Sequence, residues 1–167
     1  MRSRPFARSC IVGVMKFLEH KIPPPAVGLG IGVLMWYLAS LVPALDVPFG
    51  VRLGIALALL VVGEGIAVAG MVSFRRAKTT VNPIKISKAS SLVSSGVFQY
   101  TRNPMYLGTA ITLVGWAAYL ASWLALLGVP LFVLYINRFQ IAPEERVMAS
   151  LFGADYVAYK EKVRRWI

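Results

Sequence analysis

Cysteine, histidine and acidic residues are scarce in this chain. Cys10 is its one cysteine, so no internal disulfide can form, and His20 is its one histidine, so a zinc cluster of the Cys/His type is excluded as well. Of the 167 residues, 7 are aspartate or glutamate, against 18 lysines and arginines. The sequence therefore predicts neither a disulfide-stabilised fold nor a metal site.

Several nucleotide-binding and hydrolase motifs are also absent. No Gly-x-Gly-x-x-Gly follows a strand pattern, no Gly-Lys-Ser/Thr loop is present, and no serine or cysteine has a credible histidine partner. Gly63-Glu64-Gly65 is too short to count as a dinucleotide-binding motif. These absences exclude a soluble dinucleotide-binding domain, a P-loop nucleotidase and a Ser/His or Cys/His hydrolase.

Apolar residues dominate what is present. Hydrophobic residues make up 57% of the chain and the mean hydropathy is +0.67, which is far too apolar for an ordinary soluble domain. The net charge of +11 comes from basic residues separated by long uncharged stretches, a pattern that favours positive flanks of membrane spans over nucleic-acid binding. We expect one small integral membrane domain with the lipid bilayer as its partner and no nucleic acid.

The uncharged stretches predict an all-α bundle of about four transmembrane helices. Ala26 to Val42 is the expected first span, and Leu53 to Phe74, with Gly54, Ala58, Gly63, Ala67 and Gly70 along it for close helix packing, is the second. The uncharged residues between Arg102 and Arg138 exceed one ordinary helix, so a reversal is expected at Ala121-Ser122. A last helix, beginning at Pro143-Glu144-Glu145, is expected to cover the cytoplasmic mouth or to anchor at the interface.

Loop charge predicts the orientation. The segment from Arg75 to Arg102 contains several basic residues and no acidic one, so the positive-inside rule places it and both termini in the cytoplasm, in a bacterial inner membrane by our expectation. The N-terminus is either an amphipathic interfacial helix or a solvated extension. The expected segments of the single domain are an N-terminal interfacial segment (1–25), transmembrane helices 1 and 2 (26–74), a cytoplasmic loop (75–103), a transmembrane hairpin (104–138) and a C-terminal cytoplasmic helix (139–167).

Residues 92–106 form the most informative stretch of the chain. Asn103 before Pro104 predicts a helix N-cap followed by proline at the first helical position. The free backbone N–H groups of such a helix start attract an anion, which could be a cofactor carboxylate, a lipid phosphate or water. The stretch therefore predicts a helix start that faces the cytoplasmic loop.

Together with the Glu144-Glu145 pair and the tail from Phe152-Gly153 to Tyr159, this stretch resembles the isoprenylcysteine carboxyl methyltransferase family. The resemblance covers roughly residues 75 to 165. It implies a membrane-embedded enzyme with S-adenosylmethionine as cofactor, S-adenosylhomocysteine as product and a lipophilic or lipidated acceptor. The loop and the last helix would then form a cytoplasmic cofactor-binding cap.

The resemblance also assigns site residues. Arg102 and Tyr106 are the catalytic candidates, with Asn103 standing where the family has histidine and Phe98 where it usually has tyrosine. Gln140 replaces a substrate-contacting arginine, a function that Arg138 could take over. The residues expected to bind the cofactor are Ser90, Ser91, Leu92, Val93, Phe98, Asn103, Pro104, Met105, Tyr106 and Glu144.

Without the resemblance, a solvated helix start is the alternative explanation for the two carboxylates of Glu144 and Glu145. Glu64 is a further candidate because it falls near the centre of the second span, where a lone carboxylate costs a few kcal/mol. Two explanations for Glu64 stay open, a hydrogen bond to another helix and a function in substrate binding.

Acceptor chemistry favours carboxyl O-methylation. A carboxylate is already nucleophilic near neutral pH, whereas an amine or a thiol must lose a proton and no histidine is positioned to take it. Other readings stay open. They are methylation of a phospholipid amine or a small thiol, an NADPH-dependent membrane reductase, and a non-catalytic lipid-binding scaffold.

Overall fold

The computed structural model describes residues 22–77 and 91–167, and every regular element in these ranges is helical. The expected all-α class is confirmed for this part of the chain. The predicted interfacial segment, apart from its last residues, and the loop residues 78–90, including Ser90, lie outside the described residues. The helices are α1 (Pro24–Ser40), α2 (Phe49–Arg76), α3 (Pro104–Leu120), α4 (Gly128–Ile136) and α5 (Ala142–Lys162), with short 3-10 helices at Gly96–Gln99 and Ala125–Leu127 and a π-helical turn at Asn137–Ile141.

Prolines set where the first helices begin. Pro23 and Pro48 occupy the positions just before α1 and α2 with extended backbone, since the proline ring fixes φ and removes an N–H donor. Helix α2 therefore begins at Phe49, four residues before the predicted span from Leu53 to Phe74, and it includes Arg52. One arginine in the first turn does not stop a helix, because its charged end extends away from the backbone.

Two helices of the described chain are long and apolar enough to cross a membrane. One is α2, with 28 residues, and the other is the continuous run Ala125–Lys162, with 38 residues. Helix α1 is apolar but has only 17 residues. Length and composition thus support membrane insertion without establishing the number of spans.

The predicted reversal between the last two apolar segments is confirmed. Ala121 has a left-handed φ of 47°, and its carbonyl accepts a 2.7 Å hydrogen bond from the backbone N–H of Leu45. After it, the hydroxyl of Ser122 accepts a 3.3 Å hydrogen bond from the N–H of Ala125. The turn after α3 is thereby joined to the turn between α1 and α2.

The closest helix crossing joins α2 to α3. Gly63 and Gly108 face each other so tightly that a Cβ on Gly63 would lie 2.6 Å from the Gly108 carbonyl oxygen. Ala67 and Gly70 also contact α3, which confirms the expectation of close packing for these residues. Gly54 has open space beside it instead. The crossing uses small residues as membrane helices commonly do.

Helices α1 and α4 pack against α3 to complete the bundle. Met35, Phe132 and Ile136 are fully buried where these helices meet. The indole N–H of Trp116 donates a 3.0 Å hydrogen bond to the carbonyl of Gly32 and ties α3 to α1. Helix α3 is consequently held by neighbours along its length.

The helix is continuous across the predicted boundary between the hairpin and the C-terminal helix, at residue 139. Helix α4 continues through the π-helical turn into α5, and that turn carries the buried Gln140 and Ile141. A π-helical turn widens the helix by one residue and is frequent at functional sites. Within α5, Gly153 has φ 51° and ψ −122°, which kinks the helix.

The α2–α3 crossing gives a prediction from two neighbouring glycines. Gly63→Ala places its methyl group against the backbone of Gly108, so we expect a loss of about 1–3 kcal/mol of stability. Gly65→Ala points into open space and should gain up to about 1 kcal/mol from helix propensity. Thermal unfolding of both variants in detergent measures the difference, and equal melting temperatures would contradict this crossing.

Candidate active site

A tyrosine and a glutamate meet where α3 begins and where α5 begins. Pro104 starts α3, and the hydroxyl of Tyr106, in its first turn, donates a 2.6 Å hydrogen bond to Oε1 of Glu144. Tyr106 is buried, with 7% of its surface exposed. The structure therefore brings together two residues that are 38 positions apart and that the resemblance assigned to the same site.

Glu144 lies beyond the apolar helix α4, which ends at Ile136, and its side chain is half-buried. Burial raises the pKa of Glu144 to about 7, the hydrogen bond from Tyr106 acts in the opposite direction, and the negative charge of Glu145 adds to the increase. This carboxyl is thus partly protonated near neutral pH. A cation placed against it would restore the carboxylate.

The neighbouring Glu145 is paired with two arginines. Arg102 donates from Nη2 to Oε1 at 2.8 Å, and Arg165 donates from Nη2 to Oε2 at 2.6 Å and from Nε to Oε1 at 3.2 Å. The side chains of Arg102 and Glu145 are only 10% and 13% exposed. Arg102, predicted as catalytic, is accordingly engaged with Glu145 and not with Glu144.

Asn103 does not use its side chain as the sequence pattern predicts. It stands at the N-cap position of α3, but no side-chain capping hydrogen bond is made. Its amide nitrogen instead donates a 2.9 Å hydrogen bond to the carbonyl of Arg165. Because the side-chain amide donates to a carbonyl of residue 165, Asn103 joins the end of the chain to the start of α3.

The residues before α3 lie against α5. Phe98 is buried, packs edge to face on Phe74 at 5.1 Å, and accepts at its carbonyl a 2.7 Å hydrogen bond from the Tyr159 hydroxyl. Burial raises the pKa of Tyr159 to about 12, so the phenol stays protonated and donates. Leu92 packs against the same group of residues on α5.

The other predicted cofactor residues occupy this neighbourhood in different ways. Val93 is buried, and the hydroxyl of Ser91 donates a 3.2 Å hydrogen bond to the carbonyl of Ala77. Pro104 and Met105 lie close to Gly70 of α2. These residues fix the path of the segment beside Tyr106, while their contacts with a cofactor stay predictions.

The predicted substrate residues do not join the Tyr106–Glu144 pair. Gln140 is buried and its amide donates a 2.8 Å hydrogen bond to the carbonyl of Ile22, which holds the start of α1. The guanidinium of Arg138 lies 5.6 Å from the ring centre of Phe139. Glu64 is exposed on α2, beside the buried Gly63. The predicted functions of these three side chains remain predictions.

Residues at the end of the chain were missed as members of the site. Asn137, in the π-helical turn, accepts hydrogen bonds from Arg165 at 3.5 Å and from Trp166 at 3.1 Å. The aromatic and basic residues of this segment predict a cover over the cytoplasmic mouth or an interfacial anchor, and neither prediction includes the contact with Asn137. The available signal was the adjacent Glu144-Glu145 pair, because two neighbouring carboxylates at an enclosed helix start require cations nearby.

No group of three or more histidine, cysteine or acidic side chains that could hold a metal ion occurs in residues 22–77 and 91–167. The site offers a half-buried carboxyl that accepts a hydrogen bond from a buried phenol. Such an arrangement can bind and orient a small molecule that carries a positive charge.

Comparison with known proteins finds a matching family model and several relatives. A family model described as phospholipid methyltransferase matches residues 51–155. An uncharacterized protein of Haemophilus influenzae is 51% identical over 63 residues, which are 38% of this chain and 100% of that protein.

Named enzymes match over a longer part of the chain. The protein-S-isoprenylcysteine O-methyltransferase of Schizosaccharomyces pombe is 31% identical over 111 residues, covering 65% of this chain and 46% of that protein. The corresponding enzyme B of Arabidopsis thaliana is 27% identical over 107 residues, covering 64% of this chain and 54% of its own length. The chain thus spans about half the length of these named relatives.

No solved structure matches the chain significantly. The family model nevertheless covers more than half of the chain, from within α2 to within α5, and includes both Tyr106 and Glu144. The resemblance to isoprenylcysteine carboxyl methyltransferases is confirmed by the named relatives, and the chain belongs to the phospholipid methyltransferase family.

Proposed function

We propose that the protein is an integral membrane methyltransferase that uses S-adenosylmethionine and acts on a lipophilic acceptor. The observation that carries this proposal is the hydrogen bond between the buried Tyr106 and the half-buried Glu144 at the junction of α3 and α5, inside the region matched by the family. The spans would be α1, α2, α3 and the run from α4 through the π-helical turn. The loop before α3 and helix α5 would then face the cytoplasm of a bacterial inner membrane.

The chemistry of the residues fits this cofactor. The methionine part of the cofactor carries an ammonium group, and Glu144 is a half-buried carboxyl whose pKa is raised mainly because burial penalises its charge. An ammonium at Glu144 would form a charge-assisted hydrogen bond and offset that penalty. Leu92, Val93 and Phe98 would supply apolar surface nearby, and Ser90 and Ser91 would complete the loop.

The bound cofactor supplies a methyl group activated by a positive sulfur. The protein contributes alignment and exclusion of water, because methyl transfer is an in-line displacement in which charge is dispersed. Tyr106 holds the carboxylate of Glu144 in one orientation through its 2.6 Å hydrogen bond. Arg102 keeps the adjacent Glu145 neutralised and the segment before α3 in place.

A carboxylate is the acceptor that this site suits best. It attacks the methyl group without losing a proton, whereas an amine or a thiol requires a base. Asn103 stands where relatives carry histidine, and its amide can donate and accept hydrogen bonds but cannot take up a proton at neutral pH. The proposed reaction is therefore O-methylation of a lipophilic acid that enters from the bilayer.

Phospholipid amines are the second acceptor class. The description of the matching family model favours them. A screen with radiolabelled S-adenosylmethionine against lipophilic acids, phospholipid amines and small thiols separates these possibilities. Label in the ester fraction alone is the expected result, and label in the amine fraction alone would move the assignment to the second class.

Binding of S-adenosylhomocysteine to the detergent-purified protein tests the cofactor site. We expect saturable binding in calorimetry, weakened at least about tenfold in Glu144→Gln because a hydrogen bond to a charged group contributes about 1.5–3 kcal/mol. Tyr106→Phe should weaken binding less, since it removes only the group that orients Glu144. Glu161→Gln, which changes an exposed carboxylate on the same helix, is the matched control and should bind normally.

Two outcomes would count against this account. Absence of binding to folded wild-type protein would overturn the methyltransferase proposal, and saturable binding of NADPH in the same assay would then favour the reductase. Failure to bind either cofactor would favour the scaffold.

The pH dependence of binding gives a separate prediction. Pairing with an ammonium requires ionised Glu144, so the affinity for S-adenosylhomocysteine should rise by up to about tenfold per pH unit below its pKa of about 7 and level off above it. Calorimetry at several pH values measures this slope. Glu144→Gln should bind weakly with no such slope, and a slope unchanged in that variant would assign the titration to another group.

A further inference from the structure

The last residues of the chain fold back over the candidate site. Helix α5 ends at Lys162, and Val163 takes an extended conformation that begins the C-terminal tail (163–167). The carbonyl of Arg164 accepts a 3.1 Å hydrogen bond from the backbone N–H of Arg102. The carbonyl of Arg165 accepts from the amide of Asn103 at 2.9 Å and from the hydroxyl of Thr101 at 3.4 Å. The tail thus lies against the segment that leads into α3.

Arg165 connects this tail to two further parts of the site. Its guanidinium forms a two-point contact with Glu145 on α5, at 2.6 and 3.2 Å. It also donates to the side-chain oxygen of Asn137 in the π-helical turn at 3.5 Å, beside the 3.1 Å hydrogen bond from Trp166 to the same oxygen. One residue therefore contacts the elements that carry both Glu144 and the start of α3.

The charge of Arg165 matters because Glu144 and Glu145 are adjacent. The negative charge of Glu145 acts on Glu144 and favours its protonated form. Arg102 and Arg165 surround Glu145, and a guanidinium bound at two points to a carboxylate fixes its geometry as well as balancing its charge. With both arginines in place, Glu145 disturbs its neighbour least.

We propose that Arg165 is a positioning residue for the cofactor site, which holds Glu145 away from the cofactor and leaves Glu144 as the carboxylate that receives the ammonium. This inference rests on the proposed function of the site. It assigns to the tail a part in cofactor affinity, in addition to its contacts with the fold. The side chain of Arg165 is 37% exposed, so its substitution removes a cation without opening a large internal cavity.

The pH dependence of binding depends on the titratable and charged groups around Glu144. Tyr106 of α3 donates to Glu144, and Glu145 is the neighbouring charge that raises its pKa. Tyr156 of α5 lies within the field of Glu145, Arg102 and Arg165, and burial keeps its pKa well above the ordinary value. In the π-helical turn, Arg138 places its guanidinium over Phe139. Glu144, with its pKa raised to about 7, is the group whose ionisation the test follows.

The test compares two adjacent arginines. Arg165→Gln and Arg164→Gln remove the same charge from neighbouring positions, but the side chain of Arg164 is exposed, whereas that of Arg165 contacts Glu145. Calorimetric titration with S-adenosylhomocysteine across the pH range is combined with the melting temperature of each protein. We expect Arg165→Gln to move the pH midpoint upward and to weaken binding by up to about tenfold near neutral pH, because the unbalanced charge of Glu145 would favour the protonated form of Glu144.

The control and the conservative variant make the result decisive. Arg164→Gln should bind as wild type does. Arg165→Lys keeps the cation but not the two-point contact, so it should move the pH midpoint in the same direction by less than Arg165→Gln. A purely structural function of the tail would lower the melting temperature and leave the midpoint in place.

Failure of this inference differs from failure of the proposed function. If wild-type protein binds and Arg165→Gln keeps both the affinity and the pH midpoint of Arg164→Gln, the positioning function of Arg165 is overturned. If Arg165→Gln does not fold, the same comparison is made with Arg165→Lys, and an unchanged midpoint there overturns it. If wild-type protein does not bind S-adenosylhomocysteine at all, the proposed function itself has failed.

Discussion

The hydrogen bond between Tyr106 and Glu144 depends on the different partners of two adjacent carboxylates, Glu144 and Glu145. Glu145 pairs with both nearby arginines, and the half-buried Glu144 accepts a hydrogen bond from a phenol. Had the arginines paired with Glu144, its pKa would be low and its charge already balanced. The observed arrangement keeps Glu144 able to gain a cation, which is what a cofactor with an ammonium group requires.

The bundle serves to hold the start of α3 beside the start of α5. The Gly63–Gly108 crossing fixes α3 against α2, and the π-helical turn sets how α5 leaves α4. Gln140 uses that turn to hold the first residues before α1. Displacing α3 along α2 would separate Tyr106 from Glu144. The packing of small residues between α2 and α3 thus determines the geometry of the polar site.

Much of the fold could be predicted from local features of the sequence. Uncharged runs identified the apolar helices, prolines marked where helices begin, and the pattern around Ala121 identified the reversal. The resemblance placed Tyr106 and Glu144 in one site. Two features of the site depend on contacts between distant parts of the chain. One is the choice of Arg102 between two neighbouring carboxylates, and the other is the hydrogen bond from Asn103 to a carbonyl of the tail. Spacing along a sequence carries no information on such contacts.

The central claim is that the loop before α3, the start of α3 and the start of α5 form one interface. Hydrogen–deuterium exchange of the detergent-purified protein, with and without S-adenosylhomocysteine, tests it most directly. The account predicts slower exchange on binding at residues 91–106 and 142–148, and no change in the turn at residues 41–48 on the opposite side. Protection confined to residues outside the first two segments would contradict it.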